Sequence, residues 1–235
     1  MKNQYFGDIN DYKKFGLLRA ISSASNLSIL IAWMLTENDG STDGKFIQYL
    51  QEPDEWRHYD PPLYGKLVRL LNRKVARKVS LIEDSIILNG SFYYSKHVPD
   101  SAQGRTAWFN ELTRVSNDCD LVFLDPDNGL EIASRPYGRK NSSKYLYWSE
   151  VGDLWADGKS LLIYQHFIRE KRETFIDRML NTLSEKAPSS IVDAFSTANV
   201  VFLLALQPCH HQLHTPIINS VRSSWTGQIQ YWGKK

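Results

Sequence analysis

One short stretch of the chain concentrates the residues that could do chemistry. Asp125-Pro126-Asp127-Asn128-Gly129-Leu130-Glu131 carries three acidic residues within seven positions and follows the apolar run 121–124. The run predicts a short buried strand that ends at Asp125, because proline lacks the N–H that a ladder needs and Asn-Gly tolerates positive φ. Ligands of open parallel sheets bind just beyond the carboxyl ends of strands. The stretch is therefore predicted to carry a functional site rather than only a turn.

Carboxylates at this spacing suit a metal ion. The candidate oxygen ligands are Asp125, Asp127, Glu131 and Asp120. They could hold Mg²⁺ through one or two carboxylates and several waters, and the metal would orient a phosphate and generate a nucleophilic water. His166 could then serve as general base, and Lys144 or Arg169 would stabilise the phosphate charge. This hypothesis predicts a nuclease or phosphohydrolase.

The elements around the site alternate between strands and helices. Continuous apolar runs predict strands at 28–35, 121–124, 160–164 and 200–206, with a short terminal strand at 228–232. Helices are predicted from about 8–11 to 22, and at 61–77, 101–115, 144–155, 169–185 and 214–224. Residues 46–50 fit a strand or a helix, and 85–88 with 91–94 fit a hairpin at Asn89-Gly90.

This alternation predicts the fold class. Strands that are apolar throughout are typical of a parallel sheet buried on both faces. We expect a single α/β domain over residues 1–235, a three-layer sandwich with a mostly parallel Rossmann-like sheet and an antiparallel C-terminal edge.

Composition narrows the classes of partner. The longest apolar run, residues 29–35, is too short to span a bilayer, so no membrane partner is predicted. Two cysteines indicate a reducing, cytoplasmic setting. A net charge of +2 does not by itself argue for nucleic acid, but 7 Trp, 12 Tyr and 10 Phe exceed what a core needs and could stack on bases. The oligomeric state stays open.

The acidic stretch also resembles a known motif. Asp125-Pro126-Asp127-Asn128 is similar to the [DNS]-P-P-[YFW] motif of class I (Rossmann-like) S-adenosylmethionine-dependent methyltransferases, which also lies at a strand end; Asp127 and Asn128 replace its second proline and its aromatic residue. A helix before the first strand, a glycine-containing acidic loop after it and a closing strand pair support the resemblance. The stretch also resembles a segment of a family of bacterial proteins, which implies no activity.

The resemblance implies roles for individual residues. The Asp125 carboxylate and the Pro126 carbonyl would accept hydrogen bonds from the target amino group of a nucleic acid, and S-adenosylmethionine would be the cofactor. The implied catalytic residues are Asp125, Pro126, Asp127, Asn128 and His166. The implied cofactor-binding residues are Phe6, Asp8, Asp11, Glu37, Asn38, Asp39 and Gly40. The expected substrate-binding residues are Glu131, Lys144, Tyr164, Gln165 and Arg169.

Two further hypotheses use other residues. Cys209, His210 and His214 could bind zinc, although the pattern lacks a second cysteine pair. The aromatic residues and the basic segment around Arg69–Lys78 could instead form a nucleic-acid-binding module without catalysis. Carboxylates at several strand ends favour an enzyme, and we expect methyl transfer, with the Mg²⁺-dependent hydrolase as the alternative.

Overall fold

The computed structural model describes residues 1–40, 44–73, 75–85, 87–88 and 90–234. Within these residues, seven strands form one sheet: β1 (Ile29–Ala32), β2 (Ser91–Tyr94), β3 (Leu121–Leu124), β4 (Ser160–His166), β5 (Ile191–Ser196), β6 (Val200–Leu206) and β7 (Gln230–Gly233). The α-helices are α1 (Ile9–Ser25), α2 (Pro53–Trp56), α3 (Pro61–Leu71), α4 (Ser80–Glu83), α5 (Ala102–Val115), α6 (Trp148–Ala156), α7 (Arg172–Lys186) and α8 (His214–Ser224). Four short 3₁₀ helices span Asn3–Tyr5, Gln48–Gln51, Ser142–Lys144 and Pro208–Leu213.

The strand order is β2-β1-β3-β4-β6-β5-β7. The first four strands in this order pair in parallel, with Ile31 opposite both Tyr93 and Phe123. β6 runs antiparallel between β4 and β5, and β7 pairs antiparallel with β5. The predicted mostly parallel sheet with an antiparallel edge is confirmed. The order reverses direction at β1 and β3, and the carboxyl ends of those strands form the crevice where ligands of such sheets bind.

Helices cover both faces of the sheet, which confirms the three-layer sandwich. Phe15 of α1, Leu67 of α3 and Val221 of α8 belong to the core on one face. Leu112 of α5, Leu154 of α6 and Leu180 of α7 belong to the core on the other face. Because both faces are buried, β1, β3 and β6 consist of buried residues throughout, which is why their sequences are continuously apolar.

Several predicted elements differ from the structure. The predicted hairpin is wrong: residues 80–83 form α4, and β2 pairs in parallel with β1; Asn89 lies outside the described residues. β1 ends at Ala32 rather than at position 35, since Met34 has a φ of 45°. The helix predicted to reach position 77 ends at Leu71. Residues 46–50 include the 3₁₀ turn Gln48–Gln51.

Two helices begin later than predicted, and one strand was missed. α6 begins at Trp148, where the Glu150 side chain accepts a hydrogen bond from the Tyr147 N–H, and α7 begins at Arg172. β5 was not predicted, because Asp193 interrupts its apolar run. Among the described residues, no helix is long and apolar enough to cross a membrane.

Candidate active site at the carboxyl ends of the strands

A cavity of about 200 Å³ lies between the start of α1 and the carboxyl ends of β3 and β4. Its lining residues are Met1, Tyr5, Asp8, Asn10, Asp11, Lys14, Gly44, Phe46, Asp125, Pro126, Asp127, Tyr164 and His166. The lining side chains thus include four carboxylates and one lysine, beside aromatic rings. The predicted strand-end site is therefore a real concavity with an acidic, aromatic wall.

Asp125 occupies the first position after β3 and is 1% exposed. Its backbone N–H donates to the Ala32 carbonyl, which continues the β1–β3 ladder by one bond. The Lys14 ammonium donates to Asp125 Oδ2 at 2.8 Å, and the Met1 amino group donates to the Asp125 carbonyl oxygen at 3.1 Å. Burial raises the pKa of Asp125, and the neighbouring Lys14 ammonium opposes that rise.

The start of α1 supplies three charged side chains to the cavity. Asp8, Asp11 and Lys14 are spaced three residues apart and so lie near one face of the helix. The Asp8 carboxylate caps α1 by accepting hydrogen bonds from the N–H groups of Asn10 and Asp11. Burial, reinforced by the Asp11 charge, raises the pKa of Asp8 to about 7. Asp8 can therefore exchange a proton near neutral pH.

The Asp127 carboxylate lies near several cations but makes no hydrogen bond within the described part of the chain. Its side chain is 1% exposed, and its oxygens lie 3.3 Å from Lys2 Nζ, 3.8 Å from Lys144 Nζ and 3.9 Å from the Met1 amino group. Within the described part of the chain, neither carboxylate oxygen has a hydrogen-bond partner. A buried carboxylate without donors is costly, so Asp127 is poised to accept N–H or O–H groups from a ligand.

β4 contributes two rings to the opposite wall. The rings of Tyr164 and His166 lie 5.0 Å apart, nearly perpendicular. His166 Nε2 lies 3.2 Å from the Asp127 carbonyl oxygen, so it carries the hydrogen of that bond and leaves Nδ1 as an acceptor. Burial lowers the pKa of His166, which keeps the ring neutral at neutral pH. Burial also raises the pKa of Tyr164, which stays protonated.

Other predicted residues near the cavity support its walls instead of lining it. Asn128 is exposed, and its Nδ2 donates to the Tyr145 hydroxyl. Glu131 Oε1 accepts from the Trp148 N–H and so caps α6. Gln165 Oε1 accepts from the Leu130 N–H at 2.6 Å. Arg169 is exposed in the loop after β4.

Most of the predicted cofactor-binding residues lie outside the cavity, whereas Asp8 and Asp11 line it. Phe6 is fully buried in the core against Phe15. Glu37 and Gly40 are exposed in the loop after β1. That loop holds the N-terminal segment through two side chains: Asn38 Oδ1 accepts from the Gln4 N–H, and Asp39 Oδ2 accepts from Lys2 Nζ at 2.7 Å.

The first two residues fill the crevice between the ends of β1 and β3. The Met1 amino group donates to the Met34 carbonyl at 3.2 Å, and the Met1 carbonyl accepts from the Thr36 N–H. Lys2 Nζ also donates to the Tyr5 hydroxyl at 2.9 Å. Met1 and Lys2 are each 3% exposed. In this arrangement they occupy the crevice where a ligand of this fold would bind.

The candidate metal ligands are not gathered together. Asp120 lies at the amino end of β3, Glu131 caps α6, and the nearest partners of Asp125 and Asp127 are ammonium groups. The described residues contain no group of three or more His, Cys, Asp or Glu side chains that could hold a metal ion. The candidate zinc ligands also have other partners: His210 contacts Ser160, and His214 Nε2 contacts Asp193.

Lys2, Tyr5, Lys14 and Phe46 were missed as site residues. Lysines are usually solvated, and nothing local marks these two as buried; the recurrence of Asp8, Asp11 and Lys14 at helical spacing is the signal that could have found Lys14. The Asp100 carboxylate holds the segment 134–143 by accepting from the Asn141 and Ser143 N–H groups. Arg105 points into a buried ion pair with Glu150.

Comparisons with known proteins found no family model and no curated protein that matches this sequence. The function is therefore argued from the residues and from the geometry of the cavity.

Proposed function

We propose that the protein is an S-adenosylmethionine-dependent methyltransferase-like enzyme that acts on an amino group of a nucleic acid. The observation that carries the proposal is the cavity wall formed by Asp125, Pro126 and Asp127 at the end of β3. These residues present buried acceptors, and the Asp127 carboxylate makes no hydrogen bond within the described part of the chain. An amino group offers the N–H donors that such a wall needs.

The charge of the cavity favours an amino group over a phosphate. Asp8, Asp11, Asp125 and Asp127 line the cavity, and cations near them, Lys14, Lys2 and the Met1 amino group, each already lie within 4 Å of at least one carboxylate. A phosphate entering this wall would be repelled unless a metal ion lay between, and the described carboxylates do not gather into a metal site. The geometry therefore supports the methyltransferase hypothesis better than the hydrolase hypothesis.

The layout of the sheet supports the proposal further. The closing strand pair on which the resemblance rests is present: β6 runs antiparallel between β4 and β5, and β7 pairs with β5. The Asp-Pro pair stands at the end of β3, beside the point where strand order reverses. This likeness concerns the fold, and fold alone does not fix function.

The residues present fit one end of the cofactor. Asp127 suits an ammonium or hydroxyl group, but about 200 Å³ is below the roughly 300–1,000 Å³ of usual ligand pockets. Met1 and Lys2 fill the adjoining crevice, so the whole cofactor fits only when they are displaced. S-adenosylmethionine would supply the electrophilic methyl group when bound.

The chain's own residues then orient the amino group and manage its proton. The Asp125 carboxylate and the Pro126 carbonyl accept its N–H bonds, so that the nitrogen lone pair points away from the protein wall. His166 is neutral, with Nδ1 as an acceptor, and can take up the proton that the nitrogen loses. Exposed basic residues in the loops after β3 and β4 suit a phosphate backbone; they are Arg135, Arg139, Lys140 and Arg169.

Transfer of a labelled methyl group tests the proposal. Single-stranded DNA and RNA would be incubated with methyl-labelled S-adenosylmethionine, without and with Mg²⁺, using the wild type and Asp125→Asn. The proposal expects label on an exocyclic amino group, lost by roughly a hundredfold or more in the variant, as when one transition-state contact is removed. Mg²⁺-dependent cleavage without labelling would support the hydrolase instead.

A further inference from the structure

Lys14 connects two acidic residues from different parts of the chain. Its ammonium group lies 2.8 Å from Asp11 Oδ1 and 2.8 Å from Asp125 Oδ2, and all three side chains are at most 3% exposed. Asp11 is itself fixed, because its Oδ2 accepts from the Gly7 N–H at 2.9 Å. A continuous set of contacts therefore runs from the turn before α1, through Lys14, to the end of β3.

The surroundings of Lys14 leave it little freedom. Its ammonium lies 4.9 Å from the centre of the Tyr164 ring and 5.9 Å from the centre of the Trp33 ring, which it approaches as a cation over a π face. Met1 Sδ lies 3.9 Å away. With acceptors or rings on several sides, the ammonium holds one position, and so does the carboxylate oxygen that it contacts.

Stability alone does not account for this arrangement. A buried ion pair is often no more stable than apolar side chains of the same volume, because desolvation offsets the attraction between the charges. Lys14 also lines the cavity together with Asp11 and Asp125. Charges retained at such cost beside a concavity point to a role in binding or catalysis.

We propose that Lys14 is a positioning residue, whose ammonium group holds the Asp125 carboxylate ionised and oriented so that it accepts the N–H of the substrate amino group. The inference rests on the proposed function for the nature of that substrate. An ionised carboxylate only accepts hydrogen bonds, whereas a protonated one also donates and would compete with the substrate N–H. Burial favours the protonated form of Asp125, and the ammonium group of Lys14 counteracts it.

Other charged and titratable groups also act on Asp125, so Lys14 must be separated from them. They are Asp11 on α1, the Met1 amino group, Asp127 on the same loop, and Tyr164 and His166 on β4. Three variants isolate Lys14. Lys14→Arg keeps the positive charge, and Lys14→Met removes it. Lys14→Met combined with Asp11→Asn removes the charge without leaving the Asp11 carboxylate unpaired. Circular dichroism checks that each variant is folded.

The experiment follows the Asp125 side-chain carboxyl carbon by ¹³C NMR during a pH titration, with Asp125→Asn assigning the signal. We expect Asp125 to be ionised at pH 7 in the wild type and in Lys14→Arg. In Lys14→Met its titration should move up by about one pH unit or more, as expected when a nearby opposite charge is lost, and the double variant shows how much of the rise depends on the Asp11 charge. An unchanged titration in Lys14→Met, or an Asp125 already protonated at pH 7 in the wild type, would overturn the inference.

The methyl-transfer assay supplies the second readout. Lys14→Arg should retain most of the transfer rate, and the double variant should lose at least tenfold in kcat with a smaller change in KM. If the wild type transfers no methyl group, the proposed function fails, whereas the NMR titration still decides whether Lys14 holds Asp125 ionised.

Discussion

The two ends of β3 carry similar residues in opposite environments. At the amino end, Asp120 Oδ2 accepts from the Ser28 N–H at 2.9 Å and from the Ser28 hydroxyl at 2.8 Å. At the carboxyl end, the Asp127 carboxylate has cations within 4 Å but, among the described residues, makes no hydrogen bond. Burial favours a higher pKa at both ends, yet the Ser28 hydrogen bonds lower the pKa of Asp120, whereas the pKa of Asp125 stays raised.

This difference separates a structural carboxylate from one that is poised for a ligand. The amino end satisfies its acceptors within the protein and joins β1 to β3. The carboxyl end leaves acceptors unsatisfied beside a cavity. Aspartates stand at both ends, so the partners that folding brings to each carboxylate make the distinction.

A pair of glycines gives the largest expected effect on stability. Gly129, after β3, has a φ of +90°, and an added Cβ would lie 2.4 Å from Gln165 Oε1; Gly158, before β4, has a φ of +80° with nothing within 4 Å. We expect Gly129→Ala to lower the free energy of unfolding by about 2–4 kcal/mol through strain and overpacking, and Gly158→Ala by only about 1 kcal/mol. Urea denaturation of both variants measures these free energies. Equal decreases would show that the turn after β3 does not pack tightly against Gln165.

Substituting the two aspartates tests the comparison directly. Asp120→Asn weakens the bonds from Ser28 and should lower the free energy of unfolding by about 1–2 kcal/mol. Asp127→Asn removes a carboxylate that makes no hydrogen bond among the described residues, while Lys2 keeps Asp39 as its partner, so it should change that free energy by less than about 1 kcal/mol. The affinity for S-adenosylmethionine should instead fall more in Asp127→Asn than in Asp120→Asn. A larger loss of stability for Asp127→Asn than for Asp120→Asn, by thermal and urea denaturation, would contradict the assignment.

The pH dependence of stability should be the smallest of these effects and should have opposite signs at the two ends. The pKa of Asp8 is raised from 3.8 to about 7, so the folded state binds the extra proton and the free energy of unfolding falls as pH rises through this range. The lowered pKa of Asp120 instead contributes stability at neutral pH that is lost in acid, below about pH 4. Asp8→Asn keeps a good helix cap and should flatten the fall between about pH 4 and 7. An unchanged slope in the variant would exclude Asp8 as its source.

The sequence predicted the fold well where local pattern decides it. Runs such as 121–124 and 200–206 are apolar because both faces of the sheet are covered, and these strands appear with the predicted bounds. β5 was missed because Asp193 interrupts its pattern; in the fold this carboxylate accepts from the Tyr231 hydroxyl and contacts His214. A hydrophobic pattern cannot predict a buried carboxylate whose hydrogen bonds form only in the folded protein.

The candidate site could be predicted only in part. The sequence predicted that several segments contribute residues to one site. Five of those residues line the same cavity: Asp8, Asp11, Asp125, Tyr164 and His166. Lys2 could not be assigned, because its partner Asp127 lies 125 residues away in the chain and only the fold brings the two together. For Lys14, the helical spacing from Asp8 and Asp11 was the available signal. Glu131, predicted as a metal or substrate ligand, instead caps α6, and the acidic sequence pattern does not reveal this contact.

Calorimetric binding of S-adenosylmethionine tests the central claim most directly, with wild type, Asp127→Asn and Asp120→Asn compared at the same pH. The account predicts saturable binding to the wild type and to Asp120→Asn, and at least tenfold weaker binding to Asp127→Asn. Absence of binding at millimolar cofactor with an intact fold, or equal affinity in all three proteins, would contradict the claim that the carboxyl end of β3 is the site of a methyltransferase.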